Sequence, residues 1–455
     1  MEAGSKENIM TIAAIATPSG QGGIGVIRIS GNRALEIATK LLGKTPIPRH
    51  AYYTAFKDAD NHLIDQGILL YFQAPYSFTG EDVVELQTHG SPVILNLLLR
   101  HLLNLGAVIA LPGQFSERAF LNGKIDLAQA EAIADLISAS SDQAALSAAR
   151  SLQGKFSEHI HALTQRLTQL RVYMEATLDF PEEDIDLLTS QLVKENLQSI
   201  QTTLEQVKNS AKQGALLRDG IQVVIAGAPN VGKSSLLNQL SGQDTAIVTN
   251  VPGTTRDILR EHIYMDGLPL HIIDTAGLRI TNDIVEQEGI RRAQKAITQA
   301  DRVLLVIDTD VLDLPDLSLF FSASPPLEKL TLIRNKIDLY AELPSLKKHA
   351  SGCWIVSLSA KTGAGLDLLS AHLKDCLGFS QTTEGTFMAR QRHLTALDKA
   401  EICLKQACLH WENQVSAEFI AEELRLCQTS LSEITGEFLS DDLLGEIFRT
   451  FCIGK

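Results

Sequence analysis

The eight residues Gly227-Ala228-Pro229-Asn230-Val231-Gly232-Lys233-Ser234 fit the pattern G-x-x-x-x-G-K-[ST]. They follow the apolar run Gln222 to Ala226, a predicted strand, and precede Ser235 to Leu240, a predicted helix. In that context glycines let backbone N–H groups close around phosphate oxygens, and the helix start adds the positive end of its dipole. Lys233 is expected to reach the β- and γ-phosphates, and Ser234 to ligate Mg²⁺.

Three segments further along complete a nucleotide site. Asp274-Thr275-Ala276-Gly277 follows the strand-like Leu270 to Ile273, so that Asp274 is expected in the Mg²⁺ shell and the Gly277 N–H at the γ-phosphate. Asn335-Lys336-Ile337-Asp338 follows Lys329 to Ile333. The Asp338 carboxylate accepts from the N1–H and 2-amino group of guanine, whereas adenine offers neither donor, which excludes ATP. Ser359-Ala360-Lys361, after Trp354 to Leu358, fits the loop whose N–H groups support guanine O6. Between the first two lies Thr249-Asn250-Val251-Pro252-Gly253-Thr254-Thr255-Arg256-Asp257, a candidate switch in which Thr255 completes the Mg²⁺ shell.

Leu278 stands where Ras-like GTPases place a water-orienting Gln, so catalysis must use another group. Asn230, with backbone carbonyls from residues 249 to 254, is suited to hold a monovalent cation where other enzymes insert an arginine. Lys233 and Asn230 are therefore catalytic candidates, together with the carboxylate Glu286. A carboxylate so placed is more often a solvated helix charge.

The rest of the chain sets the organisation. Its 455 residues suggest two to four domains, and 45% hydrophobic with 21% charged residues is ordinary for a soluble protein. No apolar run approaches the ~18 residues of a membrane span. Ile9 to Ala16 lacks the basic flank and cleavage site of a signal peptide and reads as a first strand. Six cysteines, Cys353, Cys376, Cys403, Cys408, Cys427 and Cys452, show no zinc or redox spacing, and reduced thiols in a cytoplasmic protein are expected.

Strand-like Val26 to Ser30, Gly67 to Phe72 and Val83 to Thr88, with helical Val93 to Leu105, predict an α+β domain over residues 1–124. Residues 125–217 read as long helices broken at Asp179-Phe180-Pro181. Alternating short strands, including Arg302 to Asp308, and helices predict a parallel-sheet α/β domain over 218–377. Helical character returns over 378–455, so the α/β unit is expected to be inserted in one discontinuous helical domain.

These motifs resemble the TrmE-Era-Septin class, and the flanking segments narrow the resemblance to the MnmE (TrmE) tRNA-modification GTPases over essentially the whole chain. The specific segments are Gly22-Gly23-Ile24-Gly25-Val26-Ile27-Arg28-Ile29-Ser30-Gly31, Gly80-Glu81-Asp82-Val83-Val84-Glu85-Leu86, Ser116-Glu117-Arg118-Ala119-Phe120-Leu121-Asn122-Gly123-Lys124 and Cys452-Ile453-Gly454-Lys455. The resemblance implies a homodimer with an N-terminal domain that binds folate, 5,10-methylenetetrahydrofolate or a 5-formyltetrahydrofolate analogue. It also implies a heterotetramer of two such chains with two copies of the FAD-carrying MnmG. That complex places a carboxymethylaminomethyl or aminomethyl group on C5 of the wobble uridine, position 34, of certain tRNAs.

By position, the resemblance further implies K⁺ held by Asn230, Thr249, Val251 and Thr254, and Mg²⁺ by Ser234 and Thr255. Glu286 would orient the attacking water. Arg28, Glu85, Lys124 and Lys455 match folate-contacting positions, a carboxylate suiting the donor edge of a pterin and cations the glutamate tail. Cys452 matches a cysteine linked to the modification.

Two other motif matches fail. Gly20-Gln21-Gly22-Gly23-Ile24-Gly25 satisfies G-x-G-x-x-G but leads into a strand rather than a helix, so the dinucleotide context is missing. The tail from Cys452 is no prenylation box, since Gly454 and Lys455 do not fit, and a buried or folate-facing tail is expected. The alternative function is an Era-like ribosome-assembly switch. Its C-terminal RNA-binding module should be basic, yet residues 381–455 hold 7 Lys and Arg against 12 Asp and Glu, net −5. The whole chain, at −14, also lacks the charge of a nucleic-acid binder, which leaves much of the tRNA contact to MnmG.

Overall fold

The structure, a computed structural model, describes residues 10–179, 187–243, 260–265, 267–274, 294–309, 314–321, 324–379, 386–437, 441–452 and 454. The chain forms two compact units: Met1–Ala134 with Leu152–Ser190 and Ile402–Lys455, and Asp135–Ser151 with Gln191–Glu401.

The first unit is built on strands β1 (Ile12–Ile15), β2 (Gly22–Ser30), β3 (Tyr52–Lys57), β4 (Leu63–Phe72), β5 (Val83–Gly90) and β6 (Val108–Ile109), in the order β3-β4-β5-β2-β1-β6. All neighbours are antiparallel except β1 and β6. Period-2 alternation sends Ile27, Ile29, Val84 and Leu86 to one face. There they meet Ile37 and Ala38 of helix Ala34–Leu42, and Leu95, Leu98 and Leu102 of helix Pro92–Asn104. The glycines of Gly20 to Gly25 run into β2 itself, with a bulge between Gly22 and Gly25, so no helix start follows them.

Helices Lys155–Asp179 and Ala417–Thr435 pack along each other in the same unit. Phe156, Ile160, Leu163, Leu167, Leu170 and Met174 are buried at alternating spacings of four and three, and Ile420, Leu424, Cys427, Leu431 and Ile434 repeat the rhythm. That is the stripe two helices need to interlock. The expected break at Asp179-Phe180-Pro181 lies mostly outside the described residues. The last helix, Asp441–Arg449, brings Phe448 and then Phe451 onto Leu127 and Ala130, beside Phe120.

The second unit carries β7 (Ile221–Gly227), β8 (Arg260–Met265), β9 (Leu268–Asp274), β10 (Arg302–Asp308), β11 (Leu330–Asn335), β12 (Ser345–Lys348) and β13 (Trp354–Ser357), in the order β12-β13-β11-β10-β7-β9-β8. The five inner strands are parallel, but β8 and β12 are antiparallel edges. The parallel sheet expected from the sequence pattern is present in these inner strands, with one antiparallel strand added at each edge. Both faces of the sheet are covered, which is why its strands read as continuous apolar runs. Val223 and Ile225 face Leu236 and Leu369 of helices Lys233–Gln243 and Leu366–Leu377, while Val224 and Ala226 face Ala296, Ile297 and Phe321. β7, β10, β11 and β13 end on the same side, where open α/β sheets bind ligands.

Candidate functional site

β7 ends at Gly227, whose φ of +147° and tight approach to β10 leave no room for a side chain: a Cβ would lie 2.2 Å from the Val306 carbonyl oxygen. The loop then turns through Asn230, itself left-handed at φ 65°, to Gly232. At Gly232 φ is +98° and a Cβ would lie 2.2 Å from Asn335 Nδ2. Both end glycines of the motif are therefore required by the fold as well as by any phosphate. Lys233 opens helix Lys233–Gln243, and its Nζ donates to the carbonyls of Gly227 at 2.8 Å and Ala228 at 2.9 Å, which lays the ammonium across the loop. Ser234 and Ser235 are exposed at the helix start.

The loops that follow β11 and β13 are tied to this loop by one side chain. Asn335 Nδ2 donates to the Val231 carbonyl at 2.8 Å, and Asn335 Oδ1 accepts from the Ala360 N–H at 2.8 Å. The Thr309 hydroxyl donates to the Asn335 carbonyl. Asn335 is 2% exposed, so its polar atoms join three loops rather than face solvent. Asp338, by contrast, is exposed and accepts from Ser359 Oγ at 2.6 Å, so one carboxylate oxygen is held from within the protein. Lys336 is left-handed at φ 71° and donates to Asp308 Oδ2 at 2.6 Å. Lys361 is exposed beside Ala360. Asp274 ends β9 opposite Ile225 of β7, just ahead of the phosphate loop.

Val231, Asn335 and Ala360 thus meet, as do Asp338 and Ser359. Thr249, Asn250, Val251, Pro252, Gly253, Thr254, Thr255, Thr275, Ala276, Gly277, Leu278 and Glu286 lie outside the described residues. Of the expected cation ligands, Asn230 and Ser234 are described, at the turn of the loop and at the helix start that follows it. The roles of Asn335 as a strap and of Asp308 as the Lys336 partner were missed by motif reading, because neither contact has a sequence spacing.

A second polar cluster lies in the first unit. Arg28 and Glu85, 57 residues apart, are cross-strand partners on β2 and β5. Arg28 Nε and NH2 lie 2.9 and 2.8 Å from Glu85 Oε1, and NH1 lies 3.5 Å from the Gly454 carbonyl oxygen. The guanidinium lies 5.4 Å from the Phe78 ring centroid and 5.9 Å from that of Phe115, an aromatic enclosure not foreseen from sequence. Any ligand of Glu85 therefore meets it as half of an ion pair.

Lys124 is exposed and donates to the Pro75 carbonyl at 2.9 Å, on the loop that also carries Phe78. That loop is fixed by Asp82, which accepts from Tyr71 and the Ala74 N–H, both at 2.9 Å. Burial, with the neighbouring Asp82, pushes the Tyr71 phenol up to about 12. Arg118 and Glu81, from two of the quoted segments, pair at 2.8 Å.

Lys455 lies outside the described residues. The tail is only partly as expected: Gly454 is buried, with Ile15 and Ala16 closing around it, but Cys452 is exposed. All six cysteines are unpaired. Asp58, Asp60 and His62 come within 4.8 Å of one another on an exposed turn, and Asp58 Oδ1 is already occupied by the N–H groups of Asp60 and His62. No described helix is long and apolar enough to cross a membrane.

Comparison with known proteins agrees in order along the chain. The model of the GTP-binding protein TrmE N-terminus matches residues 11–124, and that of the MnmE helical domain matches residues 127–452. The tRNA modification GTPase MnmE of Yersinia pseudotuberculosis is 57% identical over 450 residues, 98% of this chain and 99% of that protein. That of Coxiella burnetii is 56% identical over 448 residues, 98% of each. A crystal structure of Era from Aquifex aeolicus overlaps 40% of this chain and 66% of its own at 26% identity, with a TM-score of 0.26 that adds nothing to the assignment. With more than half its residues identical to these relatives across almost its whole length, the chain belongs to the MnmE family of tRNA modification GTPases.

Proposed function

We propose that this chain is a potassium-dependent GTPase that acts with MnmG to add a carboxymethylaminomethyl or aminomethyl group to C5 of the wobble uridine of certain tRNAs. The observation that carries the reading is the joining of the phosphate loop to both guanine-side loops through Asn335, in a chain whose near-full-length relatives are named tRNA modification GTPases. An Era-like role accounts only for the GTPase segment, whereas those relatives match 98% of the chain.

In this reading Asn230, Thr249, Val251 and Thr254 hold K⁺, Ser234 and Thr255 hold Mg²⁺, and Glu286 orients water. The cations neutralise charge developing on the phosphates. Gly227 and Gly232 supply a cradle that a Cβ would fill, and Lys233 needs only to leave two carbonyls to reach a phosphate. Asp338, pre-set by Ser359, selects guanine. Arg28, Glu85, Lys124 and Lys455 contact a reduced folate. The domains are 1–124, 125–217, 218–377 and 378–455, and the working assembly is a cytoplasmic heterotetramer of two such chains with two MnmG.

Two measurements test this. Mass spectrometry of tRNA from a strain lacking the gene should show unmodified wobble uridine, restored by the wild-type gene; normal modification without it overturns the substrate. Hydrolysis in K⁺ should greatly exceed that in Na⁺, and equal rates remove the cation role of Asn230.

A further inference from the structure

Ser141 and Gly267 are 126 residues apart in sequence and belong to the same compact unit. Ser141 caps helix Asp142–Leu152: its Oγ accepts from the Ala144 N–H at 3.2 Å and its carbonyl from the Ala145 N–H at 2.9 Å. The hydroxyl proton goes elsewhere, donated to the Gly267 carbonyl at 3.0 Å in the turn between β8 and β9. Glycine suits this position, because φ is +83° and a Cβ would lie 2.5 Å from Gln143 Oε1 and push that side chain aside. That oxygen is buried and has no hydrogen-bond partner. A buried acceptor without a donor is costly, so displacing the turn enough to admit water relieves it.

The other end of this hairpin lies at the nucleotide site. β9 ends at Asp274 beside β7, and β8 starts at Arg260, opposite Ile273 and directly after the segment that carries Thr255. The hairpin spans about 20 Å at roughly 3.3 Å per residue. Ile263, Met265, Leu268, Leu270 and Ile272 are buried in one core with Leu236 and Leu240 of the helix that follows the phosphate loop. β8 is an edge strand paired only with β9, so a shift of β8 breaks no ladder but that one.

Residues 135–151 are also clamped to the chain on both sides of the nucleotide-binding sheet. Asp135 Oδ1, in a side chain only 5% exposed, accepts from Arg218 Nε at 2.9 Å and from Arg390 NH2 at 2.7 Å. Ser151 Oγ accepts from the Met388 N–H at 2.8 Å. The segment thus meets the chain entering β7, the chain leaving after the last strand, and the hairpin turn.

We infer that Ser141 and Gln143 are positioning residues that couple the β8–β9 hairpin, and through it the nucleotide state, to helix Asp142–Leu152 and the helical part of the chain beyond. The inference rests on the GTPase reading above, and on its tRNA substrate only for the last readout. The hairpin turn bears on the hydroxyl that caps the helix, so movement of β8 changes how firmly the first turn of that helix is held. Such coupling is reciprocal between the two sites.

The test is hydrogen exchange on the full-length protein at the Ala144 and Ala145 amides, with GDP and with a non-hydrolysable GTP analogue. In wild type the two rates should differ by on the order of fivefold or more. S141D keeps an acceptor for the Ala144 N–H but has no proton for the Gly267 carbonyl, so its two rates should converge to within about twofold. S141T, which retains both functions, should restore the difference. S141D should melt with wild type and hydrolyse GTP within about twofold of it, while wobble-uridine modification falls at least about fivefold. Nucleotide-independent exchange in wild type, or an S141D protein that keeps either the exchange difference or full modification, overturns the proposal. Should the wild-type gene itself restore no modification, the tRNA reading fails, and the exchange comparison still decides the coupling.

Discussion

Replacing Asn335 with Asp changes one atom and separates the strap from the nucleotide contact. Asp keeps the acceptor for the Ala360 N–H but removes the Nδ2 donor that holds the Val231 carbonyl at 2.8 Å, setting an oxygen against an oxygen in a site 2% exposed. The lost bond is worth about 1 kcal/mol, and the stranded buried carbonyl about 1 to 3 kcal/mol more. If the loop relaxes away from its phosphate-binding shape, that loss of about 2 to 4 kcal/mol appears as roughly 30- to 1000-fold weaker nucleotide binding. The assay is fluorescence titration of the full chain with labelled GDP and labelled GTP. Because the strap joins the phosphate loop to the base-side loops and not to the γ-phosphate, both affinities should fall in parallel. A change under about threefold in a normally folded protein refutes the strap, and a loss confined to GTP refutes its placement.

Other outcomes follow from the same geometry. Asp338→Asn should shift preference from guanine towards xanthine nucleotides in competition binding, and unchanged GTP affinity would count against base recognition by this carboxylate. Arg28→Ala strands the Glu85 carboxylate and should weaken binding of 5-formyltetrahydrofolate, measured by calorimetry, by about 10- to 100-fold; equal affinity removes the pair from the folate site.

His372 is 2% exposed and bonded through Nε2 to Thr331 Oγ1 at 3.0 Å, and burial, with nearby Arg302, lowers its pKa to about 4. The unfolded chain then binds the proton first. Stability of this unit should fall as pH drops from about 6.5 to about 4, by up to about 3 kcal/mol, and His372→Gln should remove that part of the slope in Trp354 fluorescence melts.

The parts of the site made from backbone were legible in sequence. The phosphate loop is read from Gly227 and Gly232 because loop shape forces glycine there, with Lys233 marking the helix start beside them. The inner strands of its sheet are read from unbroken apolar runs such as Arg302–Asp308. β12, Ser345–Lys348, escaped that reading because it is a four-residue edge with two lysines and no apolar run to announce it. Likewise the Arg28–Glu85 pair was expected as two separate ligand contacts. Only the β2–β5 register shows that each neutralises the other. The Asp135 clamp left no trace at all, since a carboxylate in an alanine-rich helix looks solvated until Arg218 and Arg390 arrive from 83 and 255 residues away.

The closure of the first unit by the chain's far end has a consequence in time. Arg28 and the Gly454 carbonyl are 426 residues apart, and Phe448 and Phe451 complete the core around Leu127. At about 5 to 20 residues per second a ribosome needs roughly 20 to 85 s to cover that interval. Throughout it the nascent N-terminal sheet waits with Phe120 and Leu127 uncovered, and helix Lys155–Asp179 lacks the partner that seals its apolar stripe. The core of this unit therefore stays open until Phe448 and Phe451 have been made, and its apolar surface is exposed to solvent over that whole interval.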